Sequence, residues 1–450
     1  MEAFKAYDIR GIYNQDFDRE DVYKIGYFLP GLLGASKVLV GYDARPSSGE
    51  IFEALTRGIN DYGADVYSIG LATTPMVYFA TAEYGFSASV QITASHNSSE
   101  YNGLKISREQ ALPVGYESGL ARLEEMVDKE EIRVADSRGE VYTKNARSDY
   151  IDFLKNYTPR LYDLSIGIDC SNCMAGLIIE DILGSTPDYI YVEPDGRFPN
   201  HEPNPLLEEN IRDLQQLVKE GDKDLGIIFD GDGDRVMFVD EKGRFISPDL
   251  MIAVIADYFF RQPENRGSMV LHDIRTSRSV VEYIEELGGK TYMWKVGHAY
   301  AKDKLREIDG LFGGELAGHY YFRDFYYCDS GILAALLVLN VMTDLKQKGR
   351  TISQLIEGID NYVSSGEINY QLEEKKEAME ELKNYFAGSE SLQALHDFDG
   401  YRLEFPEWWF NVRPSNTEPY LRLVVEAESK KLLNKRLEEI NCILDSYQNN

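Results

Sequence analysis

The chain has 450 residues, of which 47 are basic and 76 are acidic, so its formal net charge is −29. A chain this acidic offers only local basic surface to nucleic-acid phosphates, and we therefore expect small-molecule partners and no nucleic acid. The hydrophobic content of 43%, with 37 glycines and 15 prolines, is that of an ordinary soluble globular protein, and the length predicts two to four domains.

Local sequence disfavours membrane-spanning and disulfide-rich classes. The longest apolar run, residues 332–339, is far shorter than the roughly 20 residues that cross a bilayer, and the N-terminus lacks a basic-then-apolar signal pattern. We therefore expect a cytoplasmic protein with no membrane partner. Four cysteines are too few for a disulfide framework. CysSerAsnCys (170–173) has the spacing of a redox pair, although two small residues filling a tight turn explain it better.

Alternating strand and helix patterns define a first domain over residues 1–144. A buried strand at 37–43 precedes an amphipathic helix, and Ser47 and Glu50 have capping-box spacing at the start of that helix. Further strands are predicted at 65–69 and 87–93. This alternation is typical of an α/β domain.

The same pattern restarts twice, and the chain then ends in a different one. Residues 145–246 and 247–364 again alternate strands with helices, and the second of these blocks ends in a long helix at 329–346. Residues 365–450 contain two helical stretches and three strand-like runs, which predicts an α+β unit. The sequence therefore predicts an α/β protein of four domains, three of them similar α/β units with mixed sheets.

A candidate nucleophile follows the predicted strand at 87–93. Ser95 lies in ThrAlaSerHisAsn (93–97), and TyrAsnGlyLeuLys (101–105) comes soon after it. A hydroxyl at a strand end is accessible for nucleophilic attack, and a fold-back at Gly103 would bring His96 and Lys105 within reach. A polar turn without catalytic function is the alternative.

Three carboxylates follow the predicted strand at 225–229, in AspGlyAspGlyAspArg (230–235). Ligands bind at the carboxyl ends of strands in α/β sheets, and hard oxygen donors suit Mg²⁺. A Ca²⁺-binding EF-hand loop is disfavoured, because Arg235 stands where that loop needs glycine and the flanks are not helical. A solvated acidic turn is the remaining alternative.

Loops in the last two blocks carry groups suited to sugar phosphates. GlyGlyGluLeuAlaGlyHis (313–319) and LysValGlyHis (295–298) offer a carboxylate and imidazoles to sugar hydroxyls, although glycine-rich structural loops are common. ArgProSerAsnThrGluPro (413–419) combines a guanidinium, hydroxyls and backbone N–H groups, as in a phosphate cradle or a capped turn. Arg10, in TyrAspIleArgGly (7–11), is a lone basic residue in an N-terminal turn, and without other evidence a structural role is favoured for it.

Together these loops, with PheLysAlaTyrAspIleArgGly (4–11), resemble the α-D-phosphohexomutase family, in particular its phosphomannomutase/phosphoglucomutase branch. The resemblance spans the whole chain. It implies four domains around a central cleft. It also implies interconversion of hexose 1-phosphate and hexose 6-phosphate, glucose or mannose, through a phosphoserine and a hexose 1,6-bisphosphate that also serves as activator.

The resemblance implies a role for each motif residue. The metal ligands for Mg²⁺ would be Ser95, Asp230, Asp232 and Asp234, with Ser95 as the phosphoserine. The other residues at the transfer site would be Lys105, Arg10, His96 and Arg235. Sugar and the non-reacting phosphate would be bound by His298, Glu315, His319, Arg275, Arg413, Ser415, Asn416 and Thr417.

Some positions depart from the family pattern and leave alternatives open. Ala317 stands where serine is usual, which leaves the choice between glucose and mannose undecided, and Arg275 stands where lysine is frequent. A phosphoglucosamine mutase is the nearest alternative, disfavoured because Leu316 stands where that branch has glutamine. A Mg²⁺-dependent sugar phosphatase and a non-catalytic sugar-phosphate sensor are the others.

Overall fold

The computed structural model describes residues 2–161, 163–389, 391–415 and 419–448. The described chain forms four sheets, one in each successive part of the sequence. Asn416 and Thr417, which the resemblance assigns to the phosphate loop, lie outside the described residues.

The first sheet is mixed. Its strands are β1 (Ile9–Ile12), β2 (Lys37–Tyr42), β3 (Asp65–Leu71), β4 (Ala88–Ile92), β5 (Tyr101–Arg108) and β6 (Val141–Thr143). Their order is β1-β5-β4-β2-β3-β6, in which β1 and β5 run antiparallel to their neighbours and the other pairs are parallel. Its helices are α1 (Arg19–Leu33), α2 (Ser48–Tyr62), α3 (Thr74–Glu83) and α4 (Ala121–Lys129).

Two local predictions for this unit are wrong. The stretch predicted to fold back at Gly103 is part of strand β5, and a Cβ on Gly103 would lie 2.1 Å from the carbonyl oxygen of Ile9. Close approach of β1, not a turn, therefore requires this glycine. The capping box is also absent, because Ser47 makes no side-chain cap bond and its Oγ accepts a hydrogen bond from Asn102 Nδ2 at 2.8 Å.

The second and third sheets are also mixed. The second unit comprises α5 (Arg147–Lys155), β7 (Ile166–Asp169), α6 (Ile179–Leu183), β8 (Asp188–Ile190), α7 (Arg212–Glu220), β9 (Leu225–Phe229), β10 (Val236–Asp240) and β11 (Phe245–Ile246), with strand order β11-β10-β9-β7-β8. The third comprises α8 (Pro248–Phe260), β12 (Met269–Asp273), α9 (Arg278–Glu286), β13 (Lys290–Trp294), α10 (His298–Glu307), β14 (Phe312–Gly314), β15 (Tyr320–Phe322), β16 (Cys328–Asp329), α11 (Gly331–Gln347) and α12 (Ile352–Ile359), with strand order β13-β12-β14-β15-β16.

The fourth sheet is antiparallel throughout. Its unit comprises β17 (Val363–Gln371), α13 (Lys375–Ser389), β18 (Ala394–His396), β19 (Tyr401–Glu404), β20 (Trp408–Pro414), β21 (Tyr420–Ala427) and α14 (Lys430–Gln448), with strand order β17-β21-β20-β19-β18. An antiparallel sheet with two helices on it agrees with the α+β unit expected at the end of the chain.

One hydrophobic core links the first three units. It runs from α3 through the second sheet to α8 and α11, and it explains the apolar run at 332–339, since a helix that is hydrophobic on all sides is buried. The fourth unit has its own core around Phe386 and Trp408. Within the described ranges, no helix is long and apolar enough to cross a membrane.

Candidate active site

Ser95 follows strand β4 and is held against the second unit. Its side chain is buried, and its backbone has a positive φ of 53°, which only a minority of non-glycine residues adopt. The Ser95 Oγ lies 2.9 Å from Asp230 Oδ2 and 3.1 Å from Arg235 Nη2. The structure therefore places the predicted nucleophile in contact with the predicted metal loop.

The metal loop follows strand β9, as predicted, and turns at Gly233, where φ is +74°. Asp230, Asp232 and Asp234 are completely buried, and one oxygen from each lies within 4.8 Å of the others. Among the described residues, Asp232 Oδ1 and Asp234 Oδ1 have no hydrogen-bond partner. Unpaired buried carboxylate oxygens are costly unless a cation binds them, so this loop fits a metal site.

Cations already surround the metal loop. Lys105 Nζ lies 2.6 Å from Asp232 Oδ2 and 2.5 Å from Asp234 Oδ2, and Arg235 Nε lies 3.1 Å from Asp230 Oδ2. Burial, followed by the charges of the two neighbouring aspartates, raises the pKa of Asp230 to about 7. Burial opposes the charge on Lys105, but the adjacent aspartates raise the pKa of this ammonium above its ordinary value.

Arg10 and His96 complete this cluster. Arg10 donates from Nη1 to Asn97 Oδ1 at 3.0 Å and from Nη2 to Asp8 Oδ2. The His96 ring contacts the Arg235 guanidinium, and burial, with that guanidinium next in effect, lowers the pKa of His96 well below its usual range. His96 is therefore neutral near pH 7.

The sugar-recognition loop lies beside this cluster, because a backbone bridge pairs Arg235 with His319. Glu315 is buried and accepts a hydrogen bond from the Tyr321 hydroxyl at 2.7 Å. The rings of His298 and His319 stack with their centroids 5.9 Å apart. The structure thus brings all three predicted sugar-binding residues together.

Two residues that sequence reasoning missed orient His319. The His319 Nδ1 lies 2.7 Å from Asp329 Oδ2, and the other oxygen of Asp329 lies 2.7 Å from Lys302 Nζ. Lys302 and Asp329 are both completely buried. Lys302 lies among other charged residues of α10, and Asp329 directly precedes the apolar helix α11, so the sequence around Lys302 gave no signal that singled it out.

The phosphate loop is only partly described. The Arg413 side chain is buried, its Nε lies 3.1 Å from Asp399 Oδ1, and its Nη2 has no hydrogen-bond partner among the described residues. The other oxygen of Asp399 accepts from the Val296 N–H at 2.8 Å, which ties this loop to the one that carries His298. Ser415 follows Arg413 at the end of β20.

Arg275 has a different environment from the other predicted binding residues. Its guanidinium lies 2.8 Å from Asp273 Oδ2 and 2.8 Å from Glu367 Oε2, a residue of the fourth unit. Asp273 Oδ2 also accepts from the Leu316 N–H at 2.8 Å. Arg275 therefore lies next to the sugar-recognition loop, where it joins the third and fourth units.

The CysSerAsnCys turn stands apart from this chemistry. Cys170 and Cys173 are buried and not disulfide-bonded, and burial raises the pKa of both thiols. A thiol kept protonated is a poor nucleophile, so the turn-filling interpretation fits better than a redox pair.

Comparison with known proteins identifies the family. The chain matches the phosphoglucomutase/phosphomannomutase α/β/α domain I over residues 1–133, domain II over 148–243, domain III over 247–362 and the C-terminal domain over 367–441. The chain belongs to the phosphoglucomutase/phosphomannomutase family. The resemblance predicted from its motifs is confirmed.

Individual relatives of the phosphoglucomutase/phosphomannomutase family cover nearly the whole chain. A Xanthomonas campestris pv. campestris (strain B100) protein named phosphohexose mutases is 37% identical over 452 residues, covering 99% of both chains. The phosphomannomutase of Escherichia coli (strain K12) is 36% identical over 440 residues, covering 95% of both. A crystal structure of a family protein from Burkholderia thailandensis has a TM-score of 0.88 at 28% identity, covering 99% of this chain and 98% of that one. The chain is a phosphohexomutase, an enzyme, with the predicted four-domain α/β fold.

Proposed function

We propose that this phosphohexomutase interconverts the 1-phosphate and 6-phosphate of glucose, mannose or both, with Ser95 as the carrier of the phosphoryl group. The observation that carries the proposal is the contact of the Ser95 Oγ with Asp230 at 2.9 Å and with Arg235 at 3.1 Å. Phosphoryl transfer asks a protein mainly for positioning and charge neutralisation, which a buried serine between cations and metal ligands supplies.

We propose Mg²⁺ as the metal, held by the carboxylates of Asp230, Asp232 and Asp234 and by an oxygen on Ser95. Its support is the pair of buried carboxylate oxygens without hydrogen-bond partners and the all-oxygen donor set. When bound, Mg²⁺ would neutralise charge on the transferring phosphoryl group.

The remaining residues of the transfer site act through charge. Arg235 donates to the Ser95 oxygen, and Lys105 donates to two of the proposed metal ligands, Asp232 and Asp234. Both cations would therefore stabilise the oxygens of a phosphoryl group during its transfer. The Lys105 ammonium lies 2.6 Å from Asp232 and 2.5 Å from Asp234, which places its positive charge at the proposed transfer site. Arg10 and the neutral His96 would complete the wall around the phosphoryl group.

Isomerisation follows from having one carrier serine and one distal phosphate site. We propose that Arg413, Ser415, Asn416 and Thr417 bind the phosphate that is not transferred, while Glu315, His298, His319 and Arg275 bind the sugar. Phosphorylated Ser95 transfers its phosphoryl group to the free hydroxyl of the bound hexose phosphate and is left as a free serine. The hexose 1,6-bisphosphate so formed reorients in the site, and the phosphoryl group at its other end is then transferred to Ser95, which restores the phosphoserine. Added hexose 1,6-bisphosphate would phosphorylate enzyme whose Ser95 has lost its phosphoryl group, and so would act as an activator.

We also propose domain boundaries after residues 144, 246 and 364.

Labelling tests the carrier serine. Wild-type enzyme incubated with radiolabelled glucose 1,6-bisphosphate should carry label, located on Ser95 by mass spectrometry of peptides. Ser95→Ala should abolish both the label and nearly all turnover, whereas Ser99→Ala, in the same loop, should keep both. Label at another serine in the Ser95→Ala protein would refute the assignment.

A substrate panel tests the reaction. Glucose 1-phosphate, mannose 1-phosphate and glucosamine 1-phosphate are each supplied with a trace of the bisphosphate, and both hexose 6-phosphate and inorganic phosphate are measured. We expect 6-phosphates of glucose or mannose with little inorganic phosphate, loss of turnover with a chelator and its return with Mg²⁺. Stoichiometric inorganic phosphate would identify a phosphatase instead.

A further inference from the structure

Arg45 is a buried residue of the first unit that none of the motifs includes, and it lies in the turn after β2. Every N–H of its guanidinium is used. The Nε donates to Asp43 Oδ2 at 3.0 Å. The two terminal nitrogens donate at 2.5 to 2.9 Å to four backbone carbonyls, those of Ser95, Asn97, Ser98 and Tyr101.

Three of the four carbonyls belong to the loop that presents Ser95, and the fourth is that of Tyr101, the first residue of β5, where the loop ends. This loop has to hold Ser95 in the left-handed region, at a φ of +53°, a conformation that costs a non-glycine residue free energy and persists only where the surroundings impose it. Within the loop, the Ser95 N–H donates to Thr93 Oγ1 at 2.9 Å. The Arg45 guanidinium donates separate hydrogen bonds to carbonyls along the rest of the loop, including that of Ser95 itself.

Arg45 is itself fixed from both sides. Asp43 accepts from the Arg45 backbone N–H at 3.1 Å and from Ser48 Oγ at 2.7 Å, at the start of α2. On the other side, the Phe198 ring of the second unit lies 5.1 Å from the guanidinium carbon. The unit that carries the aspartate loop therefore covers the residue that holds the serine loop.

We propose that Arg45 is a positioning residue for phosphoryl transfer, which holds Ser95 in its left-handed conformation so that the Oγ faces Asp230 and Arg235. The inference rests on the proposed role of Ser95. Lysine cannot replace this arginine, because an ammonium group has three donors on one nitrogen, whereas the planar guanidinium reaches five acceptors in a fixed geometry.

Arg45→Lys tests the inference while keeping the charge beside Asp43. Misplacement of a reacting group by about 1 Å costs on the order of 100-fold in rate, so we expect kcat with glucose 1-phosphate to fall roughly 10- to 100-fold. The KM should change by less than about threefold, because the groups proposed to bind the substrate are untouched. The rate of Ser95 labelling by glucose 1,6-bisphosphate should fall by the same factor as kcat.

A control variant and chemical rescue separate positioning from folding. Arg306 also donates to backbone carbonyls across two units, those of Gln110 and Tyr326, so Arg306→Lys is a matched control whose kcat should stay within about twofold of wild type. Arg45→Ala should regain part of its kcat with added guanidinium ion but not with ammonium ion at equal concentration. That rescue is not expected of a residue needed only for folding.

Two outcomes would overturn the inference, and a third concerns the proposed function. The inference fails if Arg45→Lys labels Ser95 at the wild-type rate, or if its loss of kcat is matched by an equal loss of folded protein measured by thermal melting. If wild-type enzyme itself carries no label on Ser95, the proposed function fails, and with it the role of Arg45. Wild-type labelling with an unaffected Arg45→Lys variant overturns the Arg45 inference alone.

Discussion

The metal loop of the transfer centre and the distal phosphate loop leave opposite kinds of buried polar atoms without hydrogen-bond partners. In the metal loop, the described atoms without a hydrogen-bond partner are acceptors, Asp232 Oδ1 and Asp234 Oδ1, whereas the Arg413 atom without one among the described residues is a donor, Nη2. A buried polar group without a hydrogen-bond partner reduces the stability of a protein by about 1 to 3 kcal/mol. Such an atom is therefore expected where a bound ligand of opposite charge supplies the missing interaction. The difference indicates a cation beside Ser95 and an anion beside Arg413.

The two regions also differ in how many of their charged groups form ion pairs within the protein. Lys105 and Arg235 pair with the three aspartates before any substrate arrives, which makes the transfer centre preorganised. Among the described residues, the carboxylate paired with Arg413 is Asp399, which lies beside its Nε. Removing a cation should therefore impair the chemical step at the transfer centre and substrate binding at the distal loop.

Lys105→Met should have the largest effect among the variants that test this contrast. Removing one preorganised donor from a transition state costs on the order of 100- to 1,000-fold in kcat, and we expect that loss here with a KM within a few-fold of wild type. Lys242→Met, which removes an ammonium that is half exposed and paired with Glu357, is the control and should retain wild-type kcat. A rise in KM with unchanged kcat would show that Lys105 belongs with the binding residues.

Arg413→Ala should have a smaller effect of a different kind. A charge-assisted hydrogen bond contributes about 1.5 to 3 kcal/mol, so kcat/KM for glucose 1-phosphate should fall roughly 10- to 150-fold, mainly through KM. Saturating glucose 1,6-bisphosphate should still label Ser95, because the transfer centre is intact. Arg413→Lys should recover only part of the loss, since an ammonium lacks the bidentate geometry. Wild-type kinetics for Arg413→Ala would remove the distal site and favour a phosphatase.

The sequence alone was enough to predict those candidate site residues that lie together within a single loop. The aspartates at 230–234 and Ser95 could be predicted as candidates because each follows a strand, at the carboxyl end where α/β sheets bind ligands. Their contact could not, because β4 and β9 belong to different sheets. The sequence could not show that Arg45 spans the serine loop, or that Glu367, which is 92 residues away, binds Arg275. Such partners depend on tertiary packing, which also explains why Asn102, not a helix cap, engages Ser47.

The predicted substrate role of Arg275 remains a prediction for the same reason. The family resemblance implied that the Arg275 guanidinium binds substrate, but Asp273 and Glu367 both bind it in the structure. A substrate would have to share it with these carboxylates. Asn416 and Thr417 also remain predictions, since they lie outside the described residues.

His272 should have the smallest effect on activity, because it is a buried polar residue that contributes to stability and lies outside the candidate site. It is buried in β12, its Nδ1 lies 3.1 Å from the Asp273 carbonyl oxygen, and burial lowers its pKa from 6.5 to about 4. The folded state therefore keeps this ring neutral while the unfolded chain takes up a proton as the pH falls below 6.5. Stability contributed by the neutral ring is complete above pH 6.5 and is lost as the pH falls towards 4, by roughly 3 kcal/mol in all.

His272→Asn should therefore reduce the acid sensitivity of the protein. The variant loses packing, so its Tm at pH 7.5 should be lower than that of wild type, but its Tm should fall less between pH 7.5 and pH 5. Because the proton is taken up by the unfolded state, the change should appear in thermal melting and not in the KM for glucose 1-phosphate. His396→Asn, at a half-buried position in β18, is the control and should keep the wild-type pH dependence. Parallel plots of Tm against pH for wild type and His272→Asn would contradict this prediction. They would mean that His272 takes up a proton equally in the folded and unfolded states, and that its burial does not affect how stability depends on pH.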